Sequence, residues 1–281
     1  MTAPTLITAD LLPLADLHAA TVAAFADYLA GPFPMTLQQY SAFIGRQGID
    51  LGLSRAAVRD GEVLSFAFVC PRPEVSRWRL AAMGALPSAR GTGAAPALLD
   101  DLITRATSAD IAWLELECFA ENQRAQRLYR GRGFEVVCEL NGWTAPEFDA
   151  TQPRAPACGV RPVDRAIALS WLAEANRRID WMPFPNTDRA QVLQSRPLTA
   201  WQCGSAQILF SAVDGTPAQI HSLIDLDPSL QDAETLAHAL LVAHPNAFAP
   251  QTLRDDLGGA ALKRAGFRPH AMNQLLMKRA V

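Results

Sequence analysis

The sequence predicts an α/β (α+β) protein of two domains, and three observations carry that expectation. Its 281 residues exceed what one compact domain usually needs. Segments with strand and helix patterns follow one another in mixed order, which favours a sheet with flanking helices. Near the middle, Pro146, Pro153, Pro156 and Pro162 interrupt any regular element and mark a linker. The sheet of the first domain is expected to be mixed, mostly antiparallel, with helices on its faces.

After a short lead strand near Leu6, Leu14, Leu17, Thr21, Ala24 and Tyr28 recur at helical spacing and predict an amphipathic helix. Gly31-Pro32 breaks it, and a second helix is expected over residues 37–45. Residues 51–59 and 62–70 flank Asp60-Gly61, a hairpin signal between two β-prone runs. There follow a strand over 78–86, a helix over 94–107, a strand over 111–119, a helix over 122–131 and a strand over 134–140. The second half predicts a helix over 166–177, strands over 206–213 and 219–226, and a helix over 232–244. Its tail, Ala261-Leu262-Lys263-Arg264-Ala265-Gly266-Phe267, echoes Leu128-Tyr129-Arg130-Gly131-Arg132-Gly133-Phe134 at an offset of 133 positions. An internal repeat explains the echo; an unrelated α/β domain whose helix ends in a common Ala-Gly-Phe cap is the alternative.

A net charge of −3 without a long basic run argues against a nucleic-acid surface. Although 49% of residues are hydrophobic, no uninterrupted apolar run approaches the about 18 needed to span a bilayer. The N-terminus carries no basic segment followed by an apolar core, so a cytoplasmic protein is expected. Five cysteines, at 70, 118, 138, 158 and 203, form no CxxC pair and fit reduced thiols. Neither a HExxH zinc helix, a G-x-S-x-G elbow nor the Gly-Lys-Ser/Thr ending of an NTP-binding loop is present. No metal is required.

The most informative stretch runs from Met83 to Ala95, where an apolar strand meets a glycine turn and then a helix start. Gly91 and Gly93 tolerate positive φ, so successive N–H groups can converge at the positive end of the following helix. An anion is the implied ligand. Arg90-x-x-Gly93-x-Ala95, followed by Asn122 and then by Leu128-Tyr129 to Gly133-Phe134, resembles the GNAT superfamily of acyl-CoA-dependent N-acetyltransferases. The resemblance is at motif level over residues 78–140 and unspecific over 6–70.

What the resemblance implies is acetyl transfer from acetyl-CoA to a primary amine by direct attack in a ternary complex. The diphosphate is expected on the amides of Arg90, Gly91, Thr92, Gly93, Ala94 and Ala95, with Arg90 adding charge or bracing the turn. Met83, Gly84 and Ala85 match the strand that pairs with the pantetheine amides, and Gly84 suggests a bulge or the close approach of another backbone. Asn122 matches a cofactor contact and also suits a helix N-cap. Tyr129 matches the general acid that protonates the departing thiolate. Glu117, twelve residues earlier, matches the base of members that acetylate protein N-termini; Glu115 shares its strand face, and water is the third route. The third strand lacks the glutamate that many members use.

These readings give residues 1–145 as the acetyltransferase domain, 146–160 as the linker and 161–281 as a degenerate GNAT-like domain. That second domain has no glycine between Gly215 and Gly258, where a phosphate turn would lie. The acceptor is expected to be a small amine or a protein N-terminus, and the protein to form a homodimer. A non-catalytic acyl-CoA-binding module is the alternative from another class.

Overall fold

A computed structural model of the protein describes residues 4–147, 159–194 and 196–281. The chain divides into two compact units, Met1–Val136 with Met277–Val281, and Val137–Leu276. The division falls inside β6 (Glu135–Thr144), ahead of the expected 146–160 linker, of which residues 148–158 lie outside the described ones. Compactness follows which strands pair, so its boundary need not fall at the prolines; Pro162, expected to interrupt regular structure, instead lies within a short edge strand, Arg161–Val163.

In the first unit β1 (Thr5–Thr8) leads to α1 (Leu14–Ala24) and α2 (Leu37–Arg46). A reciprocal cap starts α2: the Gln39 amide donates to the Thr36 hydroxyl at 3.2 Å, and the Thr36 amide donates to the Gln39 side chain at 2.7 Å. Next come β2 (Asp50–Arg59), β3 (Glu62–Arg72), β4 (Arg77–Ala85), α3 (Ala94–Ser108), β5 (Trp113–Phe119) and α4 (Gln123–Arg130). Asp60 and Gly61 both take positive φ, 52° and 81°, as the two-residue hairpin between β2 and β3 requires.

The sheet runs β1-β2-β3-β4-β5, with residues 277–280 of the C-terminal strand beside β5. The pairings β1–β2, β2–β3 and β3–β4 are antiparallel, and β4–β5 is parallel. The mixed, mostly antiparallel sheet expected from the sequence is therefore present. Leu17 of α1 and Tyr40 of α2 pack with Phe66 and Phe68 of β3, all fully buried, while Leu98, Leu99 and Leu102 bury the inner side of α3. One expectation fails at the end of α1, which stops at Ala24 instead of continuing to Tyr28. Beyond it the amides of Ala26, Tyr28 and Gly31 close a series of four-residue turns, and Tyr28 sits in that series.

The second unit contains the rest of β6, then β7 (Arg161–Val163), α5 (Arg165–Arg178), α6 (Asp188–Val192), β8 (Thr199–Cys203), β9 (Ala206–Ser211), β10 (Gln219–Asp225), α7 (Gln231–Ala243), β11 (Phe248–Leu253), α8 (Ala260–Arg264) and β12 (Arg268–Pro269). The last strand, β13 (Gln274–Ala280), begins here and ends in the first unit. Strand order is β7-β8-β9-β10-β11-β6, with β10–β11 parallel and β7–β8, β8–β9, β9–β10 and β11–β6 antiparallel. The fourth and fifth strands are thus the parallel pair in both units. The echoed segments also close their helices alike: the amides of Phe134 and Phe267 donate to the carbonyls of Tyr129 and Leu262, and Gly133 and Gly266 stand at φ 79° and 96°. Among the described residues no helix is long and apolar enough to cross a membrane.

Candidate active site

Within the first unit a cavity of about 510 Å³ is lined by the turn after α1, the end of β4, the loop before α3 and the N-terminal part of α4. The loop enters through a 3-10 turn at Pro87–Ala89 and leaves through Gly93, the N-cap of α3. Gly91 and Gly93 adopt φ of 80° and 89°, a region where a side chain would be strained, and no atom lies within 4 Å of where a Cβ would stand. Among the described residues the amides of Gly91, Gly93, Ala94 and Ala95 have no protein acceptor. The sequence builds this opening. Pro96 brings no N–H, and no side chain caps Gly93, so the free donors of the first turn stay exposed at the positive end of a 15-residue helix.

Arg90 does not reach into that opening. Its guanidinium donates to both carboxylate oxygens of Asp27, to the carbonyl of Ala24 at 3.1 Å and to that of Ala85 at 3.4 Å. Of the two roles expected for it, bracing is the one the geometry supports: Arg90 ties the loop to the end of α1 and the end of β4. The same pair holds the Asp27 carboxyl below its ordinary range, through the hydrogen bond first.

Strands β4 and β5 pair only from Arg77↔Trp113 to Leu80↔Leu116; β4 then continues to Ala85 and β5 to Phe119 without pairing. A register shift in the β3–β4 ladder lies between Ala82 and Leu80, so the bulge falls at Ala81 and not at Gly84. Gly84 answers to close approach instead: a Cβ there would lie 2.8 Å from the Phe66 ring and 3.0 Å from the Ala24 methyl. Past Leu80 the outer edge of β4 thus faces a gap that leads to the cavity, and Met83, Gly84 and Ala85 line it.

At the inner end stands Tyr129, 8% exposed, its ring 5.8 Å from that of Phe134. Burial pushes its pKa up, so the phenol stays protonated through neutral pH. Among the described residues its hydroxyl has no hydrogen-bond partner, although the side chain lines the cavity. A buried donor left open to a cavity beside unpaired amides suits a ligand with an anionic end and a group that accepts a proton.

Residues 21–134 match the model of the acetyltransferase (GNAT) family. This segment is a GNAT acetyltransferase domain. Its class is that of acyltransferase enzymes, acting as N-acetyltransferases. Solved structures with the same fold include a putative acetyltransferase from Pyrococcus horikoshii, at TM-score 0.68 and 14% identity, covering 100% of this chain and 90% of that one. GCN5-related N-acetyltransferases from Sphaerobacter thermophilus (0.66, 17%, covering 99% and 97%) and Anabaena variabilis (0.65, 19%, covering 98% and 72%) are similar. At such identities the likeness is one of fold. A search of curated proteins gives no match.

In the GNAT domain Asn122 is the N-cap of α4, accepting from the Ala125 amide at 3.1 Å, and it also lines the cavity. It also stands beside the Tyr28 hydroxyl, whose pKa is raised first by burial and then by the Cys118 thiol, with Asn122 opposing the rise. Sequence periodicity absorbed Tyr28 into α1 and missed this role. The cue was the Gly31-Pro32 break, which shortens the helix and frees its last ring. Cys118, pushed up to about 11 by burial, is a neutral thiol neighbouring both Tyr28 and Tyr129.

Glu117 and Glu115 are not brought to this cavity. Alternation along β5 turns them away from Cys118, where arginines of β3 and β4 hold them. The Arg79 Nε lies 3.0 and 2.8 Å from the Glu117 oxygens and its Nη1 donates to the Gln47 side chain at 3.0 Å, while Arg72 meets Glu115 at 2.6 Å and Arg77 at 3.4 Å. Burial raises the Glu117 pKa, and the Arg79 charge opposes the rise. Among the described residues no group of three or more His, Cys, Asp or Glu side chains is placed to hold a metal ion.

Proposed function

We propose that the first unit transfers the acetyl group of acetyl-CoA to a primary amine by direct attack in a ternary complex. The observation that supports this reading is that Gly91, Gly93, Ala94 and Ala95, whose amides are free, the gap beside β4 and the side chain of Tyr129 line one cavity, whereas the amides of Arg90 and Thr92 are already bonded to the carbonyls of Pro87 and Ala89. The diphosphate sits on Gly91 to Ala95, pantetheine extends along Met83 to Ala85 in the manner of an added strand, and the thioester reaches Tyr129. Asn122 orients the arm. Attack expels a thiolate, to which Tyr129 gives its proton.

One route for the amine's proton is Glu117, which follows the last β4–β5 pair by one residue and whose pKa burial raises, although its carboxylate is held outside the cavity lining. The Arg79 ion pair must open for that, which favours a second route through water in the gap. Glu117→Gln separates them. A loss of about 100-fold in kcat/KM, with disappearance of the acidic limb of the pH profile, assigns the proton to Glu117; an unchanged profile assigns it to water. No cysteine acyl-enzyme is needed, because Cys118 is a buried, protonated thiol.

The second unit, with the same strand order and a matching helix cap, is read as a degenerate copy that has lost the cofactor site. At the N-terminus of α7, where a phosphate loop would end, the Asp225 carboxylate accepts the Ala233 amide at 2.9 Å, and Asp232 stands beside it on Ser205. Those carboxylates fill and repel where the first unit leaves donors open. The acceptor is a small amine or a protein N-terminus, in a cytoplasmic, homodimeric protein. Calorimetry with acetyl-CoA, followed by CoA release with a panel of amines, tests the whole reading. Tight binding without turnover on any acceptor, and no effect of Tyr129→Phe, would establish a binding module instead; absence of heat would remove the proposal.

A further inference from the structure

A second cavity of about 600 Å³ lies in the first unit and shares no lining residue with the one above. Trp113 at the start of β5, Arg132 and Glu135 around the turn from α4 to β6, and Lys278 and Arg279 near the end of β13 line it. Three of those five side chains are cationic, although the chain as a whole carries a net charge of −3. They are not compensated alike. Arg132 is neutralised by Asp100, whose carboxylate accepts its Nε at 2.6 Å and its Nη2 at 2.9 Å. Half-buried Arg279 donates through Nε to the Arg132 carbonyl at 2.7 Å and through Nη1 to the Ala280 carbonyl at 2.9 Å, bonds that fix the guanidinium without cancelling its charge. Among the described residues its Nη2 has no acceptor, and it pairs with no carboxylate. The Lys278 ammonium is set 5.1 Å from the Trp113 ring, and Glu135, the carboxylate in the lining, pairs with neither cation.

We propose that this cavity is a binding site for a phosphate group, free or as a monoester, held between Arg279 and Lys278. A positioned, half-buried guanidinium without a counter-charge carries a free-energy cost that an incoming anion offsets. A planar guanidinium with an open Nη2, together with an ammonium in the same cavity, suits a ligand whose charge is spread over several oxygens. Phosphate presents such a set, and a single carboxylate gives less to share between two cations. The site does not depend on the acetyl-CoA reading. Because both cations stand on β13 and the Arg132 carbonyl orients one of them, a bound phosphate holds the chain end against the turn that closes α4.

Amide hydrogen exchange of residues 132–135 and 278–280 in the full chain reads this site locally, apart from any phosphate that settles on the 91–95 amides. Inorganic phosphate and glycerol phosphate are titrated, with acetate at equal ionic strength as the control. At ten times its dissociation constant, a phosphate that binds here should slow exchange of these amides about tenfold. Lys278→Gln, which leaves the Arg279 bonds in place, should raise the phosphate concentration needed by about tenfold, and Arg279→Gln should abolish the effect. Arg124→Gln, at an exposed position on the other cavity, should keep it. A response to inorganic phosphate assigns the group alone, and a response to the ester alone assigns a larger ligand; either supports the proposal. Equal slowing by acetate, slowing that survives in both the Lys278 and the Arg279 variants, or none in the wild type overturns it and leaves the acetyl-CoA reading in place.

Discussion

Tyr129 and His221 show how burial, the largest cause of the shift in each, sets the protonation state of a titratable side chain. Tyr129 keeps its proton through neutral pH because its surroundings disfavour the phenolate, as the proposed role requires. Tyr129→Phe keeps the ring packing on Phe134 and removes the hydroxyl, so kcat should fall by about 100-fold with little change in acetyl-CoA affinity, measured by steady-state kinetics and calorimetry. His221, paired with the Ser211 hydroxyl at 2.9 Å, is pushed down to about 4, first by desolvation and then by the charge of Arg196. The unfolded chain then binds a proton between about pH 6.5 and 4 that the folded chain refuses, so stability is complete above that window and is lost as pH falls through it. The loss should be on the order of 3 kcal/mol, read from urea unfolding at pH 7 and pH 4, and His221→Gln should flatten the dependence. A variant that loses as much stability as the wild type would show that other groups carry it.

At the scale of elements, the open amides before α3 depend on backbone shape, and side chains serve to hold that shape. Gly93→Ala meets no steric obstacle, yet a Cβ at φ 89° costs about 1 kcal/mol or more and turns the donors away. Acetyl-CoA affinity should therefore fall much more than thermal stability. Gly84→Ala should do the reverse, overpacking Phe66 and Ala24 and lowering stability by about 1–3 kcal/mol, seen as a lower Tm. The Arg90–Asp27 brace adds a third case. Because Arg90 also holds two carbonyls, Asp27→Asn should loosen the turn that carries Tyr28 and cost less than Arg90→Ala does.

At the scale of the molecule, the chain end matters to the unit that the first half builds. Residues 277–281 belong to the first compact unit: the Val281 amide donates to the Ala112 carbonyl, the Arg279 guanidinium donates through Nε to the Arg132 carbonyl, and the Lys278 ammonium lies 5.1 Å from the Trp113 ring. Removing residues 277–281 from the full chain exposes the outer edge of β5, the strand that leads to Asn122 and α4. We expect the truncated protein to lose amide-exchange protection in β5 and to bind acetyl-CoA weakly, whereas protection of β9 and β10 persists. Protection of β5 equal to that of the full chain would show the end to be dispensable.

What the sequence alone determined is local: the Asp60-Gly61 hairpin, the positive φ of Gly91 and Gly93, the Asn122 cap and the Gly-Phe ending of α4 follow from backbone preferences that a few neighbouring residues impose. The order of elements was legible through residue 134 because each carries its own periodicity, and the short strands of the second half escaped it because runs of three to six residues carry too little pattern. The tertiary structure decided what depends on partners distant in sequence. It placed Arg90 on Asp27, 63 residues away, Glu117 on Arg79 instead of at the cavity, and Tyr28 beside Asn122. It also set residues 277–280 of β13 beside β5 in the first unit. Side-chain charges are promiscuous, and only the packed chain chooses among the partners that the sequence leaves open.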